Sequence, residues 1–381
     1  MADLNDTPKA NRIHIAFFGL RNAGKSTLVN AFAGQELAIV SDVAGTTTDP
    51  VSKAMEILPL GPCLLTDTAG LDDVGALGEM RVKKAFGVLA TTDIAVWVAA
   101  APESAGECPE FRRFSEECRK HGVTVLRYNR GDDVESLRKA VASVKVAEST
   151  RPLVGDLVAA GDKVLLVCPQ DGSAPKGRLI LPQQQLIREI LDAGGIAQVC
   201  QPDSVASLFR DAAGCTERVC KFVVTDSQAF GAVESAVPKN VPLTSFSILF
   251  ARAKGDLQAY CEGLSALGGL EDGDTVLVSE GCTHHRQCGD IGTVKIPRAI
   301  GRLTGKRLNF VFSSGGEFPV DKTRPNLVVH CGGCMLTRRE VQRRISVAKE
   351  AGAPITNYGL ALAAANGIAV DPVTCMVARR A

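Results

Sequence analysis

The chain of 381 residues lacks a charge imbalance: 43 Lys and Arg stand against 42 Asp and Glu. That gives no electrostatic footprint for a nucleic-acid partner, and none is expected. It also lacks any apolar run near the roughly 18 residues that a membrane helix needs, so no membrane partner is expected. The start, Met1-Ala2-Asp3-Leu4-Asn5-Asp6, has neither the basic nor the apolar stretch of an export signal. The 13 cysteines are an odd number. Without export, the expectation is a cytoplasmic protein whose thiols bind metal or lie buried rather than pair. The length predicts two or three domains with sizeable cores.

What is present begins with phosphate chemistry. Ile13 to Phe18 reads as a buried strand that runs into Gly19-Leu20-Arg21-Asn22-Ala23-Gly24-Lys25-Ser26, with a helical pattern from Thr27. This is G-x-x-x-x-G-K-S between a strand and a helix. Gly19 and Gly24 let backbone N–H groups wrap a phosphate at the helix N-terminus, along Asn22, Ala23 and Thr27. Lys25 would reach the β- and γ-phosphates, and the Ser26 hydroxyl would bind Mg²⁺. The polar Gly45-Thr46-Thr47-Thr48-Asp49 suits a switch that reports the γ-phosphate, with Thr46 and Thr47 as its contacts and Thr47 on Mg²⁺. A strand at 63–66 then leads into Asp67-Thr68-Ala69-Gly70, where Asp67 serves the Mg²⁺ shell and the Gly70 N–H the γ-phosphate.

Further strands at 93–100 and 123–128 continue the alternation. The second ends at Asn129-Arg130-Gly131-Asp132, a version of the guanine-reading N-K-x-D with arginine for lysine. Asp132 would accept from guanine N1 and N2, and Asn129 would support it. Over residues 10–145 the chain resembles the small G proteins of the branch that includes tRNA-modifying and ribosome-assembly GTPases. An ATP-using P-loop protein is the alternative. Leu71 follows the D-x-x-G, where Ras-like enzymes carry a water-orienting glutamine. In the branch it resembles, an asparagine at the position of Asn22 helps bind K⁺, which implies slow, K⁺-stimulated hydrolysis of GTP to GDP. No S-A-K loop is evident, and Ser143-Val144-Lys145 continues an amphipathic pattern. Too few residues separate Asn129 from Leu153 for the usual further strand and helix.

The stretch Glu148 to Pro152 reads as a linker. Beyond it, strands at 163–167, 196–199 and 222–224 alternate with helices at 182–193 and 205–213, which argues a second parallel sheet. No phosphate loop is found there, and packing or self-association is the expected role. Asp226-Ser227 reads as a helix cap. Residues 242–250 mark the passage to a third unit with strands at 275–279, 308–312, 327–330 and 355. The expected fold is α/β: a P-loop domain (10–150), a packing or self-association unit (153–242) and a metal-binding unit (243–381), the last two with parallel sheets.

In the third unit three cysteines and three histidines follow strands: Cys282-Thr283-His284-His285 after one, and His330-Cys331-Gly332-Gly333-Cys334 at the end of another. If the strands are parallel, these loops share one edge and Cys282 meets Cys331 and Cys334. A helix from about Met335 would place its N-terminus at Cys334 and favour a thiolate. Gly332 and Gly333 would leave N–H groups free for sulfur. Three thiolates suit either a 4Fe–4S cluster with one exchangeable iron or zinc held as Cys₃His. The fourth ligand is left among His284, His285, His330 and solvent, with Cys288 a spare.

A GTPase of this branch followed by C-T-H-H-R-Q-C (282–288) and H-C-G-G-C-M-L (330–336) resembles the HydF family, the GTPase maturation factor of FeFe-hydrogenase. The stretches 174–185 and 243–250 carry the same resemblance. It implies a homodimeric scaffold that receives a diiron precursor of the H-cluster from radical-SAM maturases and holds it beside a 4Fe–4S cluster. Delivery to the apo-hydrogenase follows, with GTP turnover as a switch. It assigns Cys282, Cys331 and Cys334 to the cluster and matches His284 and His330 to the family's histidines. Two rival classes are an RNA-associated GTPase with a zinc-stabilised tail, which would need a basic surface, and a redox enzyme, which would need a fourth cysteine and a second redox site.

Overall fold

The computed structural model describes residues 9–34, 51–73, 75–100, 108–145, 151–170, 179–211, 219–282 and 290–378. Two compact units divide the chain, Met1–Ser149 and Thr150–Ala381. The first is built from β1 (Ile13–Gly19), α1 (Lys25–Ala33), β2 (Val51–Ile57), β3 (Gly61–Asp67), α2 (Gly75–Leu89), β4 (Ile94–Ala99), α3 (Pro109–Lys120), β5 (Thr124–Asn129) and α4 (Val134–Ser143). Its sheet runs β2-β3-β1-β4-β5, with β2 antiparallel to β3 and the other pairings parallel.

Period-two alternation sorts the strand residues onto two faces. Ile15, Phe17, Ile94 and Val96 pack with α1 and α4 through Leu28, Phe32, Leu137 and Val141. Ala16, Phe18, Ala95 and Trp97 pack with α2 and α3 through Leu89, Phe111 and Phe114. Helices on both faces of a largely parallel sheet make this the P-loop GTPase fold expected from the sequence. Among the described residues of this first unit no strand follows β5. Helix α4 ends at Ser143, and Val144 is already extended, so the amphipathic pattern that included Val144 and Lys145 overran the helix.

The second unit repeats one topology twice. Its first half comprises β6 (Lys163–Val167), α5 (Leu181–Asp192), β7 (Ile196–Cys200), α6 (Val205–Asp211), β8 (Phe222–Thr225), α7 (Phe230–Ala236), β9 (Leu243–Ser245) and α8 (Phe246–Lys254). The second half comprises α9 (Leu257–Ser265), β10 (Thr275–Ser279), α10 (Ile296–Thr304), β11 (Asn309–Ser313), α11 (Val320–Thr323), β12 (Leu327–His330), α12 (Arg338–Glu350), β13 (Ile355–Asn357) and α13 (Tyr358–Ala365). A two-residue pair, β14 (Ala369–Val370) and β15 (Val377–Ala378), closes it. The sheets run β7-β6-β8-β9 and β11-β10-β12-β13, parallel throughout.

Both sheets therefore step to one side of their first strand and then return to the other side. β9 falls where the passage to the third unit was expected. Its hydrogen bonds make it an edge of the first of these two sheets, because a three-residue strand running into a helix has no period of its own to read. Ser245 caps α8 through the Ile248 N–H, and Asn357 caps α13 through the Leu360 N–H, an equivalent arrangement in both halves. Asp226 caps the turn at Ser227–Ala229, as its residue type led us to expect. Helix α8 is buried nearly all round, and one hydrophobic core runs through both halves by way of it. No helix among the described residues is long and apolar enough to cross a membrane.

Candidate functional site

In the first unit the loop after β1 is shaped by close approach. A Cβ on Gly19 would lie 2.4 Å from the Val98 carbonyl oxygen, so only glycine lets the loop leave the strand here. Asn22 and Gly24 take left-handed φ angles of 56° and 91°. Gly24 caps α1 without a side chain, leaving first-turn N–H groups available to an anion. Lys25 is buried, and its Nζ donates to Leu20 O at 2.7 Å and Gly19 O at 3.4 Å. Burial lowers its pKa, against the raising effect of Asp67, Asp72 and Asp73.

Ser26 Oγ donates to Asp67 Oδ2 at 2.5 Å. Asp67 Oδ1 is buried with no hydrogen-bond partner, and burial raises the carboxyl's pKa despite Ser26 and Lys25. An orphaned carboxylate oxygen beside a serine hydroxyl fits the outer shell of a hydrated Mg²⁺. Gly70 sits against Arg21, and the Leu71 N–H donates to Gly19 O at 3.2 Å. At the end of β5, Asp132 Oδ2 accepts from the Asn129 N–H at 2.8 Å, and Asn129 Oδ1 is buried without a partner. Ala23 is buried beneath the loop, while Asn22 and Thr27 are exposed. Thr46 and Thr47 lie outside the described residues.

The second candidate site lies at the carboxyl ends of the last sheet. The chain steps from β10 to β11 on one side and then to β12 on the other, so the strand order reverses between β10 and β12, the position at which open α/β sheets bind their ligands. Cys282 follows β10, and Cys331 and Cys334 follow β12. Beneath them runs a row of buried polar residues in register, Ser313, Ser279, His330 and Asn357. Cys331 Sγ accepts from the Gly281 N–H at 3.1 Å and the Gly333 N–H at 3.4 Å. Gly333 has a left-handed φ of 68°. A Cβ on Gly281 would lie 2.5 Å from Leu336 Cγ.

The three thiols feel one another. Burial first, then Cys331 and Cys334, push the Cys282 thiol up to about 12. Burial and Cys331 push Cys334 up to about 11 against Lys254, and burial raises Cys331. Among the described residues, no group of three or more His, Cys, Asp or Glu side chains is arranged so that it could hold a metal ion. The donor chemistry still suits a thiolate-ligated group: three largely buried cysteines follow adjacent strands, and two N–H groups are already aimed at Cys331 Sγ.

Two expectations need correction. Cys334 is not at a helix N-terminus. Thr337 Oγ1 accepts from the Glu340 N–H at 3.2 Å, α12 begins at Arg338, and the Leu336 N–H bonds Gly333 O in a separate turn. His330 is not aimed at a ligand position. It is 1% exposed, its Nδ1 donates to Cys331 O at 2.7 Å, and its Nε2 accepts from Arg344 Nη1 at 3.3 Å. Burial and Arg344 push it down to about 4. His284, His285 and Cys288 lie outside the described residues.

Reading the sequence alone missed Lys254, whose Nζ donates to three carbonyls around Cys334. It also missed Arg344, which is fully buried and bonded to Glu340, Ser279, His330 and Gly315. A lysine ending a mostly apolar helix that also holds Arg252, and arginine within a buried helical face, were the available signals.

Comparison with known proteins follows the same division. The hydrogen maturase F dimerization domain matches residues 153–255, and the hydrogen maturase F tetramerization domain matches 258–373. The 50S ribosome-binding GTPase family matches 14–129. The tRNA modification GTPase MnmE of Zymomonas mobilis is 28% identical over 212 residues, 54% of this chain and 45% of the relative. MnmE of Stutzerimonas stutzeri is 42% identical over 125 residues, 31% and 26% of the two chains. The match thus spans less than half the length of these relatives. Among solved structures, Era of Aquifex aeolicus aligns with 14% identity and a TM-score of 0.28, covering 79% of this chain and 93% of that one.

Proposed function

The chain belongs to the hydrogen maturase F family, and from that premise we propose that it is a GTP-hydrolysing, 4Fe–4S-binding scaffold of FeFe-hydrogenase maturation. Its cargo is the diiron precursor of the H-cluster, received from radical-SAM maturases and delivered to the apo-hydrogenase. What supports this reading is the pair of hydrogen maturase F domains over 153–255 and 258–373, together with Cys282, Cys331 and Cys334 following adjacent strands and backbone N–H groups directed at Cys331 Sγ. Cys282, Cys331 and Cys334 hold the cluster, releasing their protons as metal binds. When bound, such a cluster supplies one iron open to an exchangeable ligand. His284 and His285 are the remaining imidazoles for that fourth position or for contacts with the cargo.

At the nucleotide site, Lys25 exchanges its two loop carbonyls for the β- and γ-phosphates. Ser26, Thr47 and Asp67 hold the Mg²⁺ shell, and Asn129 and Asp132 read guanine. Gly70 and Thr46 answer to the γ-phosphate. With Leu71 in place of a water-orienting glutamine, hydrolysis is slow, and K⁺ at Asn22 supplies positive charge. Turnover then acts as a switch on domain arrangement or partner release in a cytoplasmic homo-oligomer, in keeping with the family's dimerization and tetramerization domains in this chain.

The test is metal and sulfide analysis of anaerobically purified protein with EPR after reduction. About four irons and four sulfides per chain, lost in Cys282→Ser and Cys331→Ser together with precursor loading, are expected. Stoichiometric zinc with no cluster after reconstitution would overturn the scaffold reading.

A further inference from the structure

Lys254 closes α8, a helix whose other residues are nearly all buried. An ammonium has three N–H bonds, and here each finds a carbonyl: Leu336 O at 2.8 Å, Cys334 O at 3.0 Å and Gly333 O at 3.3 Å. The nitrogen also lies 5.1 Å from the centre of the Phe250 ring. The contact is returned from α12. Gln342 Nε2 donates to the carbonyls of Lys254 and Gly255 at 3.0 and 2.8 Å, and Arg338 Nη1 donates to Ala253 O at 2.9 Å. Side chains of α12 thus close the open carbonyl end of α8, while a side chain of α8 closes the turn that precedes α12.

Two consequences follow. Three carbonyls drawn to one cation fix the peptide planes of the turn that carries Cys334, so the spacing between Cys331 and Cys334 is held from outside the turn. The second consequence is electrostatic. Because α12 starts only at Arg338, no helix N-terminus stands at Cys334, and positive charge reaches that sulfur from Lys254 instead. Lys254 lies in the segment matched by the dimerization domain and the turn in the segment matched by the tetramerization domain. One side chain therefore ties the sulfur-bearing turn to the neighbouring segment of the fold.

We propose that Lys254 is the positioning residue of the cysteine turn: it clamps the carbonyls of Gly333, Cys334 and Leu336 and supplies the positive charge that raises the reduction potential of the group these thiols bind. The proposal rests on the cluster reading above. Net charge and burial set the potential of such a group, and removing a nearby cation disfavours the more negative, reduced state.

The experiment compares the full chain with Lys254→Met and Lys254→Arg, reconstituted anaerobically with iron and sulfide at pH 7 and titrated by EPR. Methionine keeps the stem over Phe250 and removes charge and donors, whereas arginine restores both. Lys254→Met is expected to bind iron and sulfide with a reduced-to-oxidised ratio about tenfold lower at a fixed poise, about 59 mV for one electron. It should also lose iron to a chelator several-fold faster, and Lys254→Arg should move both readouts back toward wild type. Should Lys254→Met fail to fold, Lys254→Gln keeps donors without charge and is expected to show the lower potential with slower iron loss. An unshifted potential in either neutral variant, or an equal shift in the arginine variant, makes Lys254 a packing residue and overturns the proposal. A wild-type chain that takes up no iron and sulfide overturns the cluster reading and this proposal with it, whereas loaded wild type with an unshifted variant overturns this proposal alone.

Discussion

Arg344 Nη1 stands 3.3 Å from Nε2 of His330, and neither side chain has appreciable contact with solvent. A guanidinium can only donate, so Nε2 is the acceptor and the ring proton sits on Nδ1, which donates to Cys331 O. The imidazole is thereby kept neutral, and it acts as a strut between the buried arginine and the peptide of Cys331. The same guanidinium donates to Glu340 Oε1 at 2.8 Å, to Ser279 Oγ at 3.2 Å and to the Gly315 carbonyl, and packs 5.3 Å over the Phe318 ring. One side chain thus joins the ends of β10 and β12 and the loop after β11 to α12.

Arg344→Met is expected to destabilise the second unit strongly. Glu340, 8% exposed, keeps Arg343 as a partner but loses its buried one, and breaking a buried pair from one side costs about 3–5 kcal/mol. Urea unfolding measures it. The double variant with Glu340→Gln should recover part of that loss, since the stranded charge is gone. A loss below about 1 kcal/mol, within the range of an exposed pair, would place the strength of this network elsewhere.

A pH-dependent contribution is expected at the start of the second unit. Arg252, 5% exposed, donates to Pro152 O, Leu153 O and both carboxylate oxygens of Asp156. Burial pulls the Asp156 carboxyl upward, but the hydrogen bonds and charge of Arg252, with Arg151, outweigh it and hold the pKa below the usual value. A depressed folded pKa stabilises the fold above the unfolded value of about 3.9 and loses that stabilisation as pH falls through the folded one. Asp156→Asn should therefore lower Tm at pH 7, and the gap to wild type should narrow below about pH 4. A gap that stays constant from pH 7 to pH 3 would rule out the carboxylate charge as its cause.

Cation dependence is the third expectation. With Leu71 after the D-x-x-G, purified protein should hydrolyse GTP slowly and about tenfold faster in K⁺ than in Na⁺, far short of the ~10³-fold or more from an arginine finger. Phosphate release at equal ionic strength measures this, and Lys25→Ala supplies the binding-deficient control. Equal rates in the two salts would remove K⁺ from the mechanism.

The sequence by itself determined the elements and where their chemistry sits. β-branched and apolar runs marked β1, β6, β10 and β12 closely, because strand period and turn residues are local properties. Glycine and lysine spacing marked the phosphate loop, since only that backbone shape makes the cradle. Cys282, Cys331 and Cys334 could be placed at strand ends for the same local reason. The start of α12 was also legible in Thr337-Arg338-Arg339-Glu340, an N-cap followed three residues later by glutamate, although the apolar pattern from Met335 masked it.

Only the tertiary structure decided which strands lie side by side and what surrounds the sulfurs. That β10 lies between β11 and β12, and so Cys282 and Cys331 follow adjacent strands, depends on which apolar faces are buried together. Lys254 is 80 residues from Cys334 and Arg344 is 65 from Ser279, and no periodicity links such pairs. A buried cation is positioned by the carbonyls and carboxylates that packing leaves unsatisfied, and those exist only once the helices have docked on the sheet.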